Sequence, residues 1–189
     1  HLVGVSLNYN YSSTLRDETV SAVWQNRAEQ QSGGYQRLTD QKTISTNVEG
    51  VLSYKFLMKK PGQELSANLT YGSNRSPDNW NFLQSDWNAG QTSQQNRSVN
   101  LGYTSVIQAD FVNPIKEIGK LELGYKTILR GWDNDFIGEN LSLPENIWRY
   151  DSTRSNHFIY DEQVHAVYGS FAGQYKDWGI QAGLRIEQT

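Results

Sequence analysis

The chain has 189 residues and a net charge of -3, and its 37% of hydrophobic residues is low for a protein that must build a conventional two-sided core. Its 6 Trp, 11 Tyr and 6 Phe are nevertheless too many aromatic residues for a disordered polymer. There is no cysteine, no basic run suggests nucleic-acid binding, and no apolar stretch approaches the roughly 18 residues of a membrane-spanning helix.

Apolar and polar residues alternate along eight segments with a period of two, which puts neighbouring side chains on opposite faces of a β-strand. Glycine inside several segments, and the lack of apolar spacing of three and four, argue against helices. Most segments approach the roughly 9–11 residues that a tilted strand needs to cross a bilayer. The segments are residues 3–11, 19–25, 47–56, 65–72, 98–107, 121–130, 164–168 and 180–187.

The connections between these segments alternate strictly between short and long. Antiparallel barrels of the bacterial outer membrane have this arrangement, with tight periplasmic turns and longer extracellular loops. We therefore predict an all-β, antiparallel up-and-down transmembrane β-barrel section of about eight strands. Its short turns are predicted at residues 12–15, 59–62, 113–119 and 176–177, and its long loops at residues 29–42, 73–95 and 131–156.

The alternation also assigns the faces of the strands, because one face of a membrane barrel meets lipid and the other a polar lumen. Lipid-facing positions are expected at Leu69, Leu101, Leu123 and Leu184. Luminal positions are expected at Asn68, Asn100, Glu49, Glu122, Lys126, Arg130, Arg185 and Glu187. Aromatic residues near the strand ends indicate an interfacial girdle, although strands favour aromatic residues in any case. The girdle is expected to include Tyr11, Trp24, Tyr54, Tyr71, Tyr103 and Trp178.

Four stretches of the second half carry a family resemblance: ADFVNP at residues 109–114, GKLELGYK at 119–126, VHAVY at 164–168 and WGIQAGLRIE at 178–187. In this order they resemble the outer-membrane β-barrel of Bacteroidetes-type TonB-dependent receptors, most clearly over residues 98–189. The resemblance implies a barrel of about 22 strands. It also implies an N-terminal plug domain and energy supplied from the inner membrane through TonB.

The sequence departs from that family pattern, because it shows no plug domain, no recognisable TonB-contacting segment and no aromatic residue ending a closing strand. We therefore expect residues 1–189 to be a β-barrel section of an outer-membrane receptor, with the plug domain and remaining strands outside it. The alternation already runs at Val3 and still runs at the last residue, so we expect both ends to be cut, with room for a signal peptide upstream. A small self-contained barrel is the alternative, since eight strands can close alone.

Little in the sequence points to catalysis. No Ser or Asp spacing around His157 and His165 resembles a triad, and no glycine-rich phosphate cradle follows a strand. We expect no enzyme activity, no catalytic or metal site and no cofactor; a β-sheet hydrolase, the rival class, has no acid–base pair that the sequence identifies. Four acidic residues in the last long loop lack EF-hand spacing. We expect them to be solvated loop charges rather than cation ligands; they are Asp133, Asp135, Glu139 and Asp151.

The binding signal lies in the long connections, where aromatic residues stand beside amides. Flat rings next to amide groups suit sugars and other amphipathic ligands, although self-packing of the loops is the simpler alternative. We expect a receptor or transporter in the outer membrane of a Gram-negative bacterium, for TonB-dependent uptake of a scarce ligand such as a siderophore or glycan. Its expected partners are outer-membrane lipid and, through the missing plug, the TonB system; a soluble all-β carbohydrate-binding module is the other alternative. The candidate ligand-binding residues are Trp80, Phe82, Trp87, Trp132, Trp148 and Tyr150.

Overall fold

The computed structural model describes the chain except for residues 116, 117 and 144, and the described residues form one antiparallel sheet. No helix that could span a bilayer occurs among these residues. The strands are β1 (Leu2–Gln25), β2 (Gln31–Leu57), β3 (Glu64–Asp86), β4 (Gly90–Ile115), β5 (Gly119–Ser142), β6 (Ile147–Tyr150), β7 (Asn156–Tyr175) and β8 (Trp178–Gln188).

The strands follow one another in up-and-down order. The order across the sheet is β1-β2-β3-β4-β5-β7-β8, and the short β6 pairs with the end of β5. This is the order of a barrel wall built from successive hairpins. β1 and β8 form the two edges of the sheet, and no ladder joins them in the part of the chain that the structure describes. The all-β, antiparallel up-and-down architecture predicted from the sequence is confirmed.

The short turn predicted at residues 12–15 is wrong, because β1 runs unbroken from Leu2 to Gln25. Ser12 and Leu15 face residues of β2 in the ladder, so the backbone of this stretch is paired as a strand. The apolar alternation stops here because the strand leaves the membrane, and polar side chains then suit both of its faces. Residues 3–11 and 19–25, predicted as two strands, are therefore one, and the short β6 completes the set of eight.

Most of the stretches predicted as long loops are also strand. β2 begins at Gln31, β3 continues to Asp86, and β5 continues to Ser142. The connections at this end are hairpin turns at residues 26–30 and 87–89, and a longer segment, residues 143–155, that contains β6. Period two fades from the sequence beyond the membrane, yet the backbone groups still need partners and find them in the neighbouring strand. The hairpins thus extend the wall well past the bilayer.

The opposite end of the sheet carries short turns. Residues 58–63 join β2 to β3 and residues 176–177 join β7 to β8, as the sequence predicted. Gly62 adopts a φ of 77°, which glycine reaches without steric cost. Of the turn predicted at residues 113–119, residues 116 and 117 lie outside the described residues, while its flanks belong to β4 and β5.

The register of the ladders gives the tilt of the strands. Glu64 begins β3 just after the first short turn and pairs with Val112 on β4. β4 continues three residues beyond Val112, to Ile115, before the next short turn. In the same way, Gly119 begins β5 and pairs with Gly173 on β7, and β7 continues two residues beyond Gly173, to Tyr175. Over these four strand spacings the short turns are displaced along the strand direction by five residues. The average is about 1.25 residues, or about 4 Å, for each strand spacing of about 4.8 Å. This corresponds to a tilt of about 40°, as in outer-membrane barrels.

The register confirms that the two predicted sets of side chains lie on opposite faces of the sheet. One face, the outer face, holds Leu69, Leu101, Leu123 and Leu184; the other, the luminal face, holds Asn68, Asn100, Glu49, Glu122, Lys126, Arg130, Arg185 and Glu187. Between the short turns and the row of Tyr71, no described Lys, Arg, Asp or Glu lies on the outer face. Ala166 is the one buried apolar residue among those described, while Leu184 is 72% exposed. The outer face therefore needs lipid to cover it.

Most of the predicted girdle residues lie on the outer face at the two edges of this apolar band. Tyr54 and Trp178 lie near the short turns, and Tyr71 and Tyr103 lie towards the long hairpins, as does Tyr11 on β1. Trp24 was predicted wrongly. It lies on the luminal face near the far end of β1, where it meets the ring of Tyr35 edge-on with centroids 5.7 Å apart. A strand longer than the bilayer carries it beyond the interface.

Candidate functional site

The luminal face of the extended hairpins of β3, β4 and β5 forms an aromatic wall, which we define by Trp80, Phe82, Trp132 and Phe136. Trp80 lies on β3 and Phe136 on β5, and both project to the same side across β4. Their ring centroids are 6.4 Å apart and the ring planes are inclined by 48°. Such tilted pairs are favourable aromatic contacts, and they leave ring surface open to the lumen.

Trp132 marks the edge of the aromatic wall nearest the membrane. Its indole lies over Gly102 on β4, where an added Cβ would come within 3.0 Å of the ring. A groove of ≈ 340 Å³ opens beside it, lined by Trp132 and by polar groups of β2, β3 and β4 that include Glu49, Asn74 and Thr104. That volume is at the lower end of the range for small-molecule sites. The groove therefore offers one ring face beside several hydrogen-bonding groups.

An amide ladder fixes the wall between Trp132 and Phe136. Asn134 donates from its side-chain amide to Asn100 on the next strand and to the Ser98 hydroxyl at 3.3 Å. Asn100 in turn donates to Ser98 at 3.2 Å, and Ser98 is only 3% exposed. Buried hydrogen bonds of this kind hold side chains in one arrangement. The rings on either side of Asn134 are thus held at a fixed spacing before any ligand arrives.

The far end of the wall is covered by the segment that follows β6. The Asp151 backbone N–H donates to the Gly138 carbonyl at 2.9 Å, and the Arg154 guanidinium donates to Asn96 Oδ1 at 2.9 Å. The Asp151 carboxylate accepts from the Thr153 hydroxyl at 2.6 Å and from the Asn140 amide at 3.0 Å. The Thr153 hydroxyl first, and then Asn140, hold the pKa of Asp151 below its usual range. The segment is therefore folded onto β5 rather than loose.

Three of the six predicted binding residues come together in the wall: Trp80, Phe82 and Trp132. The other three do not. Trp87 lies in the β3–β4 turn, donates its backbone N–H to Gly34 at 3.1 Å and packs its ring against that residue. Trp148 and Tyr150 pair with β5 so that they project to the outer face, where Trp148 lines a separate groove with Leu38 and Leu83.

The sequence prediction missed Phe136 and Asn100 as members of the site, whereas Asn134 belongs to one of the aromatic and amide stretches on which the binding prediction rested. The available signal was the alternation of Trp132, Asn134 and Phe136, which continues period two through a stretch that we had predicted as a loop. Phe82 also differs from expectation, because the Arg37 guanidinium lies over its ring, 5.6 Å from the centroid. The ring face of Phe82 is therefore already occupied by a cation–π contact.

A family match shows what kind of β-sheet carries the aromatic wall. The model of the outer membrane protein beta-barrel family matches residues 56–189, which include β3 to β8 and so most of the site. The chain belongs to this family. The barrel is therefore located in the outer membrane of Gram-negative bacteria, and the apolar outer face is its lipid face. None of the curated proteins compared with the chain matches it.

The remaining polar residues that the sequence singled out are spread over the barrel. Among the described residues, no group of three or more His, Cys, Asp or Glu is arranged to hold a metal ion. His157 bonds to Asp133 at 2.7 Å, and His165 bonds to the Thr127 hydroxyl at 2.7 Å. Asp133, Asp135 and Glu139 alternate along the outer face of β5, beyond the apolar band. Each histidine is thus engaged locally on the outside of the barrel.

Proposed function

We propose that this barrel is part of a receptor and transporter for TonB-dependent uptake of a scarce ligand, and that the ligand first binds at the aromatic wall. The observation that carries the proposal is the meeting of Trp80, Phe136 and Trp132 with the Asn100–Asn134 amide ladder on one luminal surface. Binding residues commonly lie on segments that a rigid scaffold holds beyond the membrane. The long hairpins of β3, β4 and β5 provide such a scaffold.

The chemistry of the wall favours a ligand with both flat apolar and hydroxyl or amide groups, such as an oligosaccharide or a siderophore. Ring faces take the apolar side of such a molecule, and the groove beside Trp132 supplies hydrogen-bonding partners. Truncating a ring at the centre of such a contact commonly costs at least about 1 kcal/mol, which is about fivefold in Kd. The proposed function is binding and transport, and it requires no chemical reaction of the ligand.

The transport part of the proposal rests on the resemblance of residues 109–126 and 164–187 to TonB-dependent receptors. Membership of the outer-membrane family suits a small self-contained barrel equally well. The two differ in their energy requirement, because uptake through TonB depends on the inner-membrane proton gradient and diffusion through a small barrel does not. Only TonB-dependent uptake requires a plug domain, which would lie outside this chain.

The test is uptake by the complete protein in its native outer membrane, offered a panel of ferric siderophores and oligosaccharides. We expect Trp132→Ala and Trp80→Ala to lower affinity for the transported compound about fivefold or more. Trp148→Ala is the matched control, because it removes the same side chain from the outer face and leaves the wall unchanged. Equal effects of all three changes would contradict a luminal binding site.

Energy coupling is tested separately in the same cells. Collapse of the proton gradient is expected to abolish uptake while leaving binding to the aromatic wall intact. Uptake that continues at its full rate after the collapse would contradict TonB dependence and would favour the small barrel.

A further inference from the structure

The outer face carries few cations, and they are grouped. Of the Lys and Arg residues that lie in the described strand ladders, three project outward: Lys42 on β2, Arg75 on β3 and Arg97 on β4. These are three neighbouring strands, and all three side chains are exposed. We call the three residues the cation stripe. The other Lys and Arg residues of the ladders face the lumen: Arg16, Arg37, Lys55, Lys120, Lys126, Arg130, Arg149 and Arg185.

The cation stripe lies just outside the apolar band, on the side of the long hairpins. Arg75 follows the girdle residue Tyr71 by four positions along β3, and Arg97 precedes the girdle residue Tyr103 by six along β4. Lys42 lies in one row with Asn79 and Arg97. At a rise of about 3.3 Å per residue and a tilt of about 40°, these positions are about 10–15 Å above the girdle. The stripe therefore lies in the polar layer outside the hydrocarbon core, at or just beyond the headgroups of the outer leaflet.

The stripe differs from most of the luminal cations in its lack of carboxylate partners. Among the described residues, no carboxylate oxygen lies within 4.0 Å of Lys42, Arg75 or Arg97. By contrast, luminal Lys55 and Arg16 each form an ion pair within the sheet. Within the described part of the chain, most of the cations in the lumen are thus neutralised by carboxylates of the barrel itself, with Arg37 and Lys126 as the exceptions, whereas all three outward ones are left for anions that the membrane supplies.

We propose that the cation stripe binds the phosphate groups of the phosphorylated glycolipid that forms the outer leaflet, lipopolysaccharide. The occupant follows from charge complementarity and depth: an anionic headgroup is the nearest partner for a cation directly outside the lipid-covered band. Lys42 and Arg97 are two strand spacings apart, about 10 Å, so they contact separate anionic groups. Each Lys or Arg near an anionic lipid surface strengthens binding about fivefold, so three independent contacts give on the order of a hundredfold.

The rest of the outer face limits where the glycolipid sits. Asp133 and Asp135 on β5 and Asp161 on β7 repel phosphate on one side of the stripe. Asp17 and Asp40, opposite each other on β1 and β2, lie just beyond Lys42. The phosphates are therefore directed to β2, β3 and β4. This contact is independent of the ligand site, since it uses the opposite face of the same hairpins.

The experiment compares the complete outer-membrane protein with a variant carrying Lys42→Gln, Arg75→Gln and Arg97→Gln. Both are placed in nanodiscs, and the affinity for added purified lipopolysaccharide is measured. We expect the triple variant to bind on the order of a hundredfold more weakly. Lys126→Gln, which removes a luminal cation, is the control and is expected to leave affinity unchanged. Heat-modified migration on gels verifies that each variant is folded.

Two further lipids identify the group that is recognised. Lipopolysaccharide treated with phosphatase is expected to bind the unchanged protein as weakly as intact lipopolysaccharide binds the triple variant. Phosphatidylglycerol is expected to compete poorly. Equal affinity of the folded triple variant and the unchanged protein would overturn the proposal, as would full affinity for the dephosphorylated glycolipid or equally tight binding of phosphatidylglycerol.

Discussion

The ring of Tyr168 on β7 lies directly across Gly124, its ladder partner on β5. A Cβ built on Gly124 would collide with the ring, so only glycine leaves the space that the tyrosine occupies. The ring thereby reaches over β5 to β4, where its hydroxyl bonds to Asp110 and, at 3.1 Å, to Gln108. One side chain thus ties three strands together on the luminal face, where there is no conventional core to do so.

Gly124→Ala is therefore expected to destabilise the barrel by about 1–3 kcal/mol, because the new methyl group displaces the Tyr168 ring and breaks its bond to Asp110. Urea unfolding in lipid vesicles measures the loss. Gly179→Ala is the matched control, since nothing lies within 4 Å of its added Cβ, and it is expected to change stability by less than about 0.5 kcal/mol. Equal stability of the two variants would contradict a stabilising role for the packing of Tyr168 over Gly124.

Leu123→Arg and Glu122→Gln test the two faces at neighbouring positions of β5. Leu123 lies on the lipid face within the apolar band, and Glu122 lies on the luminal face. We expect Leu123→Arg to cost about 2–4 kcal/mol if it lies near the bilayer midplane, because lipid cannot solvate the guanidinium. Glu122→Gln is expected to matter far less. Folding yields in vesicles decide between them, and similar yields for both variants would be inconsistent with the assigned faces.

Phe136→Ala is expected to weaken ligand binding as Trp80→Ala does, although the sequence singled out only Trp80. The two rings touch, so the double variant is expected to lose less binding free energy than the sum of the single losses, by roughly 0.5–1.5 kcal/mol. Binding isotherms of the complete protein provide the measurement. Tyr150→Ala, on the outer side of β6, serves as the control. Strict additivity would show that the rings act separately.

The turn around Asp151 is expected to loosen in acid. The pKa of Asp151 is lowered by its bonds from Thr153 and Asn140, so the ionised form is the one that stabilises the folded turn. Its contribution is complete above the ordinary value of 3.8 and is lost as the pH falls through the lower folded value. Hydrogen exchange of the Thr153 amide, which donates to Asp151 at 3.0 Å, reports the change. Asp151→Asn should remove this pH dependence; its persistence would implicate another group.

The alternation of residues by itself determined the membrane-spanning part of the barrel. Where one face meets lipid and the other water, polarity must alternate at the period of the backbone pleat, so Leu123 and Glu122 could be assigned to opposite faces without coordinates. The alternation of short and long connections in turn predicted the antiparallel order, and the short turns at residues 58–63 and 176–177 are present in the structure. Sequence reasoning failed at residues 12–15 because Ser12, Ser13 and Thr14 make both faces of β1 polar there, and the alternation that marks a strand is interrupted.

The tertiary structure alone decided how far the strands continue and which side chains meet. Pairing beyond the membrane depends on backbone hydrogen bonds, which any side chain permits, so the extensions of β2 to β5 leave little trace in composition. The contact of Trp80 with Phe136 joins residues 56 positions apart and depends on the register of two ladders. That register also separates Trp148 from Trp132, because each strand places its side chains on one side of the sheet or the other according to its pairing.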